Sequence, residues 1–270
     1  YPGGSNKRPI AHQSAGLAIA QAIKPLNSSG IVDEATGKIV WISIGMSNTT
    51  QETQTFLSLI QGYANKNPKL HLIDGAQGGQ DINSINHSTA AYWNTVSNRL
   101  ASANATAAQV QVIWFKQAEA QPTDTAFATY PDALKAKYKS VMQILKTKFP
   151  NLKLVYLSSR VYVGYANSKL NPEPFSWYTG WTVKRLIEDQ INGDPSLTFS
   201  GNNPSSAWLS WGPYLWANGT TPRSDGLIWT PSDFQSDGTH PGTTGRQKVA
   251  EMLLQFFTTD ETTKPWFLKP

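Results

Sequence analysis

No cysteine occurs among the 270 residues, so disulfides, thiol nucleophiles and cysteine metal ligands are excluded together. That absence does not decide the compartment, because disulfides are permitted outside the cell but not required. Charge is also scarce, at 15% of residues against roughly 25% in an average globular chain. The 23 basic and 18 acidic residues leave a formal +5, yet no Lys/Arg block or basic helix face concentrates it. Nucleic acid is therefore not an expected partner. No apolar run approaches the roughly 20 residues of a membrane span, and no membrane partner is expected. Gly75 to Gly79 lacks the Gly-Lys-Ser/Thr ending of a P-loop and the full dinucleotide spacing. There are only four histidines, with no cluster that reads as a metal set, so neither metal nor cofactor is expected.

What is present is a chain long enough for a substantial core, and one α/β domain can use all of it. Hydrophobic residues make up 39%, and Ile, Leu, Val and aromatics recur in every part. The 10 Trp, 10 Tyr and 10 Phe carry more information, because several sit in Gly/Pro-rich segments outside any clear period. Few charges, many Asn, Thr, Ser and Trp, and the opening YPGGSNKRP without methionine together suggest a trimmed protein that is secreted or periplasmic.

Apolar runs at 39–44, 70–73, 110–115 and 152–157 read as strands. Helical spacing appears between and after them: Phe56, Leu59, Ile60 and Tyr63 in 51–66; Tyr92, Val96 and Leu100 in 89–103; Leu134, Tyr138, Val141 and Leu145 in 130–149. A further helix is expected over 177–191, a final one over 245–257 and a short one over 15–23, with a surface tail at 258–270. This βα alternation predicts a three-layer α/β/α sandwich with a central parallel sheet. Residues 1–270 read as one domain, with an aromatic-rich loop insertion around 195–235. Two short extended pieces are expected inside it, near 208–216 and 226–229.

Sites in such sheets lie beyond the carboxyl ends of the strands. Polar breaks fall there at Ser47, at Gly78-Gly79, at Gln117 and at Ser159-Arg160. Ser47 follows the first apolar run through Gly45-Met46, at the start of a polar helix. A serine hydroxyl attacks only if a base takes its proton and a third group holds that base. His240 is the best base, since Asp237 lies three residues before it in a turn-rich loop ahead of the last helix. The same Asp-x-x-His spacing also suits a turn closed by an Asx hydrogen bond. The Ser47 N–H, an N–H of Gly78-Gly79 and the Gln117 amide are candidate donors to a developing oxyanion.

These four stretches resemble the conserved blocks of the SGNH, or GDSL-like, hydrolase superfamily. Gly45-Met46-Ser47-Asn48 is similar to the first block, Gly78-Gly79 to the second, 114–119 (WFKQAE) to the third and 237–241 (DGTHP) to the last. Within the superfamily the closest likeness is to carbohydrate esterases that remove acetyl groups from xylan or sialic acid. Met46 and Ala118 depart from that pattern, and Lys116 reads as an extra residue in the third block. The resemblance implies a flavodoxin-like SGNH fold and a metal-free acyl-enzyme mechanism, with Ser47, His240 and Asp237 catalytic. A saccharide ester is then the expected substrate partner.

Flat indole faces in polar loops suit sugar rings. Trp208, Trp211 and Trp216 are therefore candidate substrate contacts, although they equally suit a satellite core; Asn48 is a further candidate, and Arg160 is placed either to grip an acidic substrate group or to form a salt bridge. Glu119 reads as a residue that orders the third-block loop. Two other functions stay open: a general short-chain ester or lipid hydrolase on the same scaffold, and a carbohydrate-binding protein whose esterase site has decayed.

Overall fold

The computed structural model describes all 270 residues. Five strands, β1 (Ile39–Gly45), β2 (Leu70–Asp74), β3 (Val110–Lys116), β4 (Leu154–Leu157) and β5 (Trp208–Trp211), form one sheet in the order β2-β1-β3-β4-β5. Every pairing is parallel. Because the three central strands are covered on both faces, β1, β3 and β4 are buried at every position. That is why they read as continuous apolar runs rather than alternating ones. The order is that of a flavodoxin-type doubly wound sheet, whose reversal point lies between β1 and β3.

Alternate residues of β1 feed two cores. Val40, Ile42 and Ile44 point to α4 (Ala91–Ser102), α5 (Tyr130–Lys148) and α6 (Phe175–Ile191). Ile39 and Trp41 point to α2 (Ser47–Ile60) and α7 (Thr243–Thr259), with α1 (Ile10–Gln21) and the single turn α8 (Lys264–Phe267) at the margins. The remaining helix, α3 (Ile82–Ile85), is one turn capped by Asp81.

Three differences from the sequence reading have physical causes. Within 195–235 the extended piece expected at 208–216 is present as Trp208–Trp211 and joins the main sheet as edge strand β5, whereas residues 226–229 form no strand. The tail is not a surface segment. Trp266 and Phe267 are fully buried, and the Thr262 carbonyl accepts from the Tyr156 hydroxyl at 2.8 Å. Two aromatics among polar neighbours are enough to dock a terminal turn, and no period announces it. Finally, α2 begins at Ser47 rather than at 51 and stops at Ile60. Its first residues are Ser, Asn and Thr, which suit a helix start as well as a turn.

Candidate active site

Ser47 is the first helical residue of α2, immediately beyond the carboxyl end of β1. The chain can turn so sharply there because Gly45 has no side chain. A Cβ on it would lie 2.4 Å from the Lys116 carbonyl and 2.3 Å from the Thr49 hydroxyl. In its absence, Thr49 Oγ1 donates to the Lys116 carbonyl at 2.9 Å and ties the start of α2 to the end of β3.

His240, the candidate base, arrives on the loop before α7. Phe234 bridges Pro241, and the Gln235 N–H donates to the His240 carbonyl at 2.8 Å, so the loop is closed at its base. Gly238 sits at its tip with φ +63°, where a Cβ would lie 1.9 Å from the Tyr165 carbonyl. Only glycine fits that position. The Asp237 carboxylate divides its work. Oδ1 accepts from the backbone N–H groups of Thr239 and His240, both at 2.9 Å, while Oδ2 accepts from His240 Nδ1 at 2.5 Å. The Asx turn and the pairing with the imidazole thus coexist, one on each oxygen.

His240 Nε2 lies 2.8 Å from Ser47 Oγ. With Nδ1 carrying its proton toward Asp237, Nε2 is left to accept from the serine hydroxyl. Burial pushes the Asp237 carboxyl up, but the bonds from the His240 ring, the His240 N–H and the Thr239 N–H outweigh it. They hold the carboxyl below its ordinary value.

The glycine turn sits beside Ser47, and a Cβ on Gly78 would be 3.6 Å from the serine's. Gln77 N–H donates to the Gly45 carbonyl at 3.0 Å, which fixes the turn to the end of β1. Neither Gly78 nor Gly79 donates its N–H to a backbone acceptor, and Gly79 takes φ +72°. Gln117 is fully buried and clamped at both ends of its amide. Nε2 donates to the Gln80 carbonyl at 2.8 Å, and Oε1 accepts from the Ala118 N–H at 3.0 Å. The second Nε2 hydrogen has no acceptor in the chain, but the residue is sealed from solvent, so a ligand reaches it only if the covering loop shifts. If that hydrogen meets the oxyanion, Gln117→Ala is expected to lower kcat about 10²–10³-fold with little change in KM, a split readable by steady-state kinetics.

Not every expected contact residue is at the site. Arg160 cannot grip a substrate group from the surface. It is 1% exposed, and its Nε and Nη2 meet no hydrogen-bond partner. Burial lowers the guanidinium's pKa, opposed chiefly by the nearby Glu52 carboxylate. Trp208 is likewise no sugar platform, being buried in β5 and stacked on His12 at 4.8 Å. Asn48 is 3% exposed, and its side chain accepts from the Thr49 N–H. Both Trp211 and Trp216 are half-buried, the first on the far edge strand and the second donating its indole N–H to Glu173 at 2.9 Å. Glu119 pairs with Lys137 at 2.6 Å and accepts from Asn83 at 3.1 Å, which orders the loop after β3.

One feature beneath the site escaped the sequence reading. Lys116 and Glu52 form a fully buried ion pair with 2.6 Å between Nζ and each carboxylate oxygen. It joins α2, which starts with Ser47, to the end of β3, which leads into Gln117. Burial lowers the Lys116 ammonium to about 8 and pushes the Glu52 carboxyl up, while their mutual contact opposes both shifts. A lysine closing the apolar run VIWF was the available signal; nothing in the polar stretch around Glu52 marked its partner.

No family model matches the chain, and no curated protein matches it in sequence. Solved structures do. Axe2, an acetylxylan esterase from Geobacillus stearothermophilus, is 14% identical with a TM-score of 0.46, over 82% of this chain and 95% of that one. A GDSL-like lipase from Bacteroides thetaiotaomicron is 11% identical with a TM-score of 0.44, over 90% and 95%. The catalytic domain of the Streptococcus pneumoniae peptidoglycan O-acetyltransferase A is 10% identical with a TM-score of 0.42, over 82% and 94%.

Proposed function

We propose that this chain is a serine carbohydrate esterase that removes acetyl or other short acyl groups from saccharides. The observation that carries the reading is the continuous hydrogen-bonded line Ser47–His240–Asp237 at the carboxyl edge of the sheet. His240 takes the proton as Ser47 attacks the ester carbonyl, and Asp237 keeps the imidazole oriented and balances its charge. Negative charge on the carbonyl oxygen falls to the Ser47 N–H at the start of α2 and to the Gly78 N–H beside it, with Gln117 as third donor. His240 then protonates the departing sugar hydroxyl. Water, activated by the same imidazole, cleaves the acyl-enzyme.

A lipid-type hydrolase would call for an apolar surface around the nucleophile. The exposed large apolar residues, Ile10, Ile31, Val32 and Phe127, all lie outside the segments that carry Ser47, Gly78 and His240. The test is acetate release from acetylated xylan and acetylated monosaccharides, beside chromogenic esters of increasing acyl length. Release from the sugars, with the shortest chromogenic ester turned over fastest, is the expected result. Rates that climb with acyl length would replace the carbohydrate reading with the lipid one, and saccharide binding without turnover would leave a binding protein.

A further inference from the structure

A second cleft lies away from the triad, at the β5 edge of the sheet. We infer that the cleft at the β5 edge of the sheet is a non-catalytic binding site for a neutral saccharide chain. Its volume is about 1120 Å³, and its aromatic lining comes from Trp177 and Trp181 of α6 and from Trp211 and Tyr214 at the end of β5. No residue of the triad, the glycine turn or Gln117 borders it. Three strand spacings separate β5 from β1, or about 14 Å at about 4.8 Å each. The inference goes beyond the esterase reading and does not require Ser47 to turn anything over.

Shape argues for a chain rather than a compact molecule. A neighbouring furrow of about 580 Å³ runs on toward α7 and shares Tyr214, Arg223 and Asp225 with the larger cleft. Together they exceed the roughly 300–1,000 Å³ of a pocket for one small ligand. Of the four rings, Trp181 has Lys184 5.9 Å over it and Tyr214 has Arg223 5.5 Å over it, so those two offer their opposite faces or edges. All four aromatics are half-buried, so each is anchored while part of its surface stays accessible. Tyr214 lies against Gly180, where a Cβ would come within 2.9 Å of the ring. Trp211 meets Tyr214 edge-on with centroids 5.6 Å apart, and that is its one ring contact.

Charge argues for a neutral ligand. The larger cleft carries the cations Lys7, Arg8, Lys184 and Arg223, but three of them are already paired within the chain. Arg8 meets Asp260 at 2.8 Å, Arg223 meets Asp225 at 2.6 Å, and Lys184 pairs with Glu188. No field of one sign is left to hold an acidic polymer or a phosphate. What remains is half-buried aromatic surface beside many hydrogen-bonding groups, the combination that covers the C–H face of a sugar ring and bonds the hydroxyls at its rim.

The experiment uses the full chain carrying Ser47→Ala, so that nothing is hydrolysed. It is titrated calorimetrically with unacetylated xylohexaose and cellohexaose, and with an oligogalacturonate as the acidic control. Binding of a neutral hexaose is expected, weakened about tenfold by Trp211→Ala and by Trp181→Ala, and largely retained in Trp211→Phe. Circular dichroism identifies any alanine variant that misfolds, and the phenylalanine variant then carries the comparison with Tyr214→Ala. Absence of neutral hexaose binding at millimolar concentration, preference for the oligogalacturonate, or indifference to all the substitutions would overturn the site. So would self-association in sedimentation that Trp211→Ala abolishes, because a second copy would then occupy the cleft. Failure of the parent chain to release acetate would remove the esterase reading and leave these binding results standing.

Discussion

Replacing Ser47 by alanine is expected to lower kcat on short acyl esters by on the order of 10⁶, as loss of a triad serine does elsewhere. His240→Ala should cost about as much, and the double variant no more than either single one. The reason is geometric. Ser47 Oγ and His240 Nε2, 2.8 Å apart, act as one device, and the serine has no other base within hydrogen-bond distance. Asp237→Asn should fall short of that loss, at roughly 10⁴. It keeps the loop bonds to the Thr239 and His240 N–H groups but presents the wrong hydrogen-bonding partner to Nδ1. Active-site titration with a phosphonate ester checks the assignment independently, since labelling should vanish in Ser47→Ala. Turnover retained by that variant would sink the nucleophile assignment, and with it the acyl-enzyme mechanism.

The second large effect is on stability. Lys116→Met leaves the fully buried Glu52 carboxylate without its ammonium partner, and breaking a buried pair from one side costs about 3–5 kcal/mol. The lower figure is expected, because the Arg160 guanidinium also faces Glu52 and compensates part of its charge. Glu52→Met combined with Lys116→Met should recover most of the loss, since removing both charges leaves no uncompensated ion. Urea denaturation of the two variants beside the parent chain measures this. Equal destabilisation of the single and double variants would show that the pair contributes packing rather than charge balance. Activity provides a second readout. The pair joins the first helix turns below Ser47 to the strand that leads into Gln117, so the single variant should lose kcat even where it remains folded.

Residual acid sensitivity has a predictable limit. Asp237 is held below its ordinary carboxylate value by hydrogen bonds available only in the folded loop. The stabilisation they give is present above the unfolded value of about 3.9 and is lost as pH falls through the lower folded one. Loss of activity well above pH 4 therefore reports a group other than this carboxylate.

Much of this protein was legible from residue order alone. Strands buried on both faces read as near-continuous apolar runs, so β1 and β3 stood out, and helices with one buried face showed their three-and-four spacing at α4 and α5. The candidate catalytic loop was legible for a different reason. Asp237 and His240 are three residues apart, and a glycine at the tip lets the loop close without help from the rest of the fold.

Tertiary structure decided what depends on partners distant in sequence. That Ser47 and His240, 193 positions apart, come within hydrogen-bond distance follows from sheet order and from α7 packing against α2. Whether an indole is core or surface depends on the side of β5 from which it projects, so Trp208 went inside and Trp211 to the cleft. Arg160 read as a substrate contact and Lys116 as an extra residue of the third block; the fold buries both, and the Glu52 carboxylate that pairs with Lys116 is brought in by α2. Local chemistry determined which residues are fit to react. Only the packing of distant segments determined which of them meet.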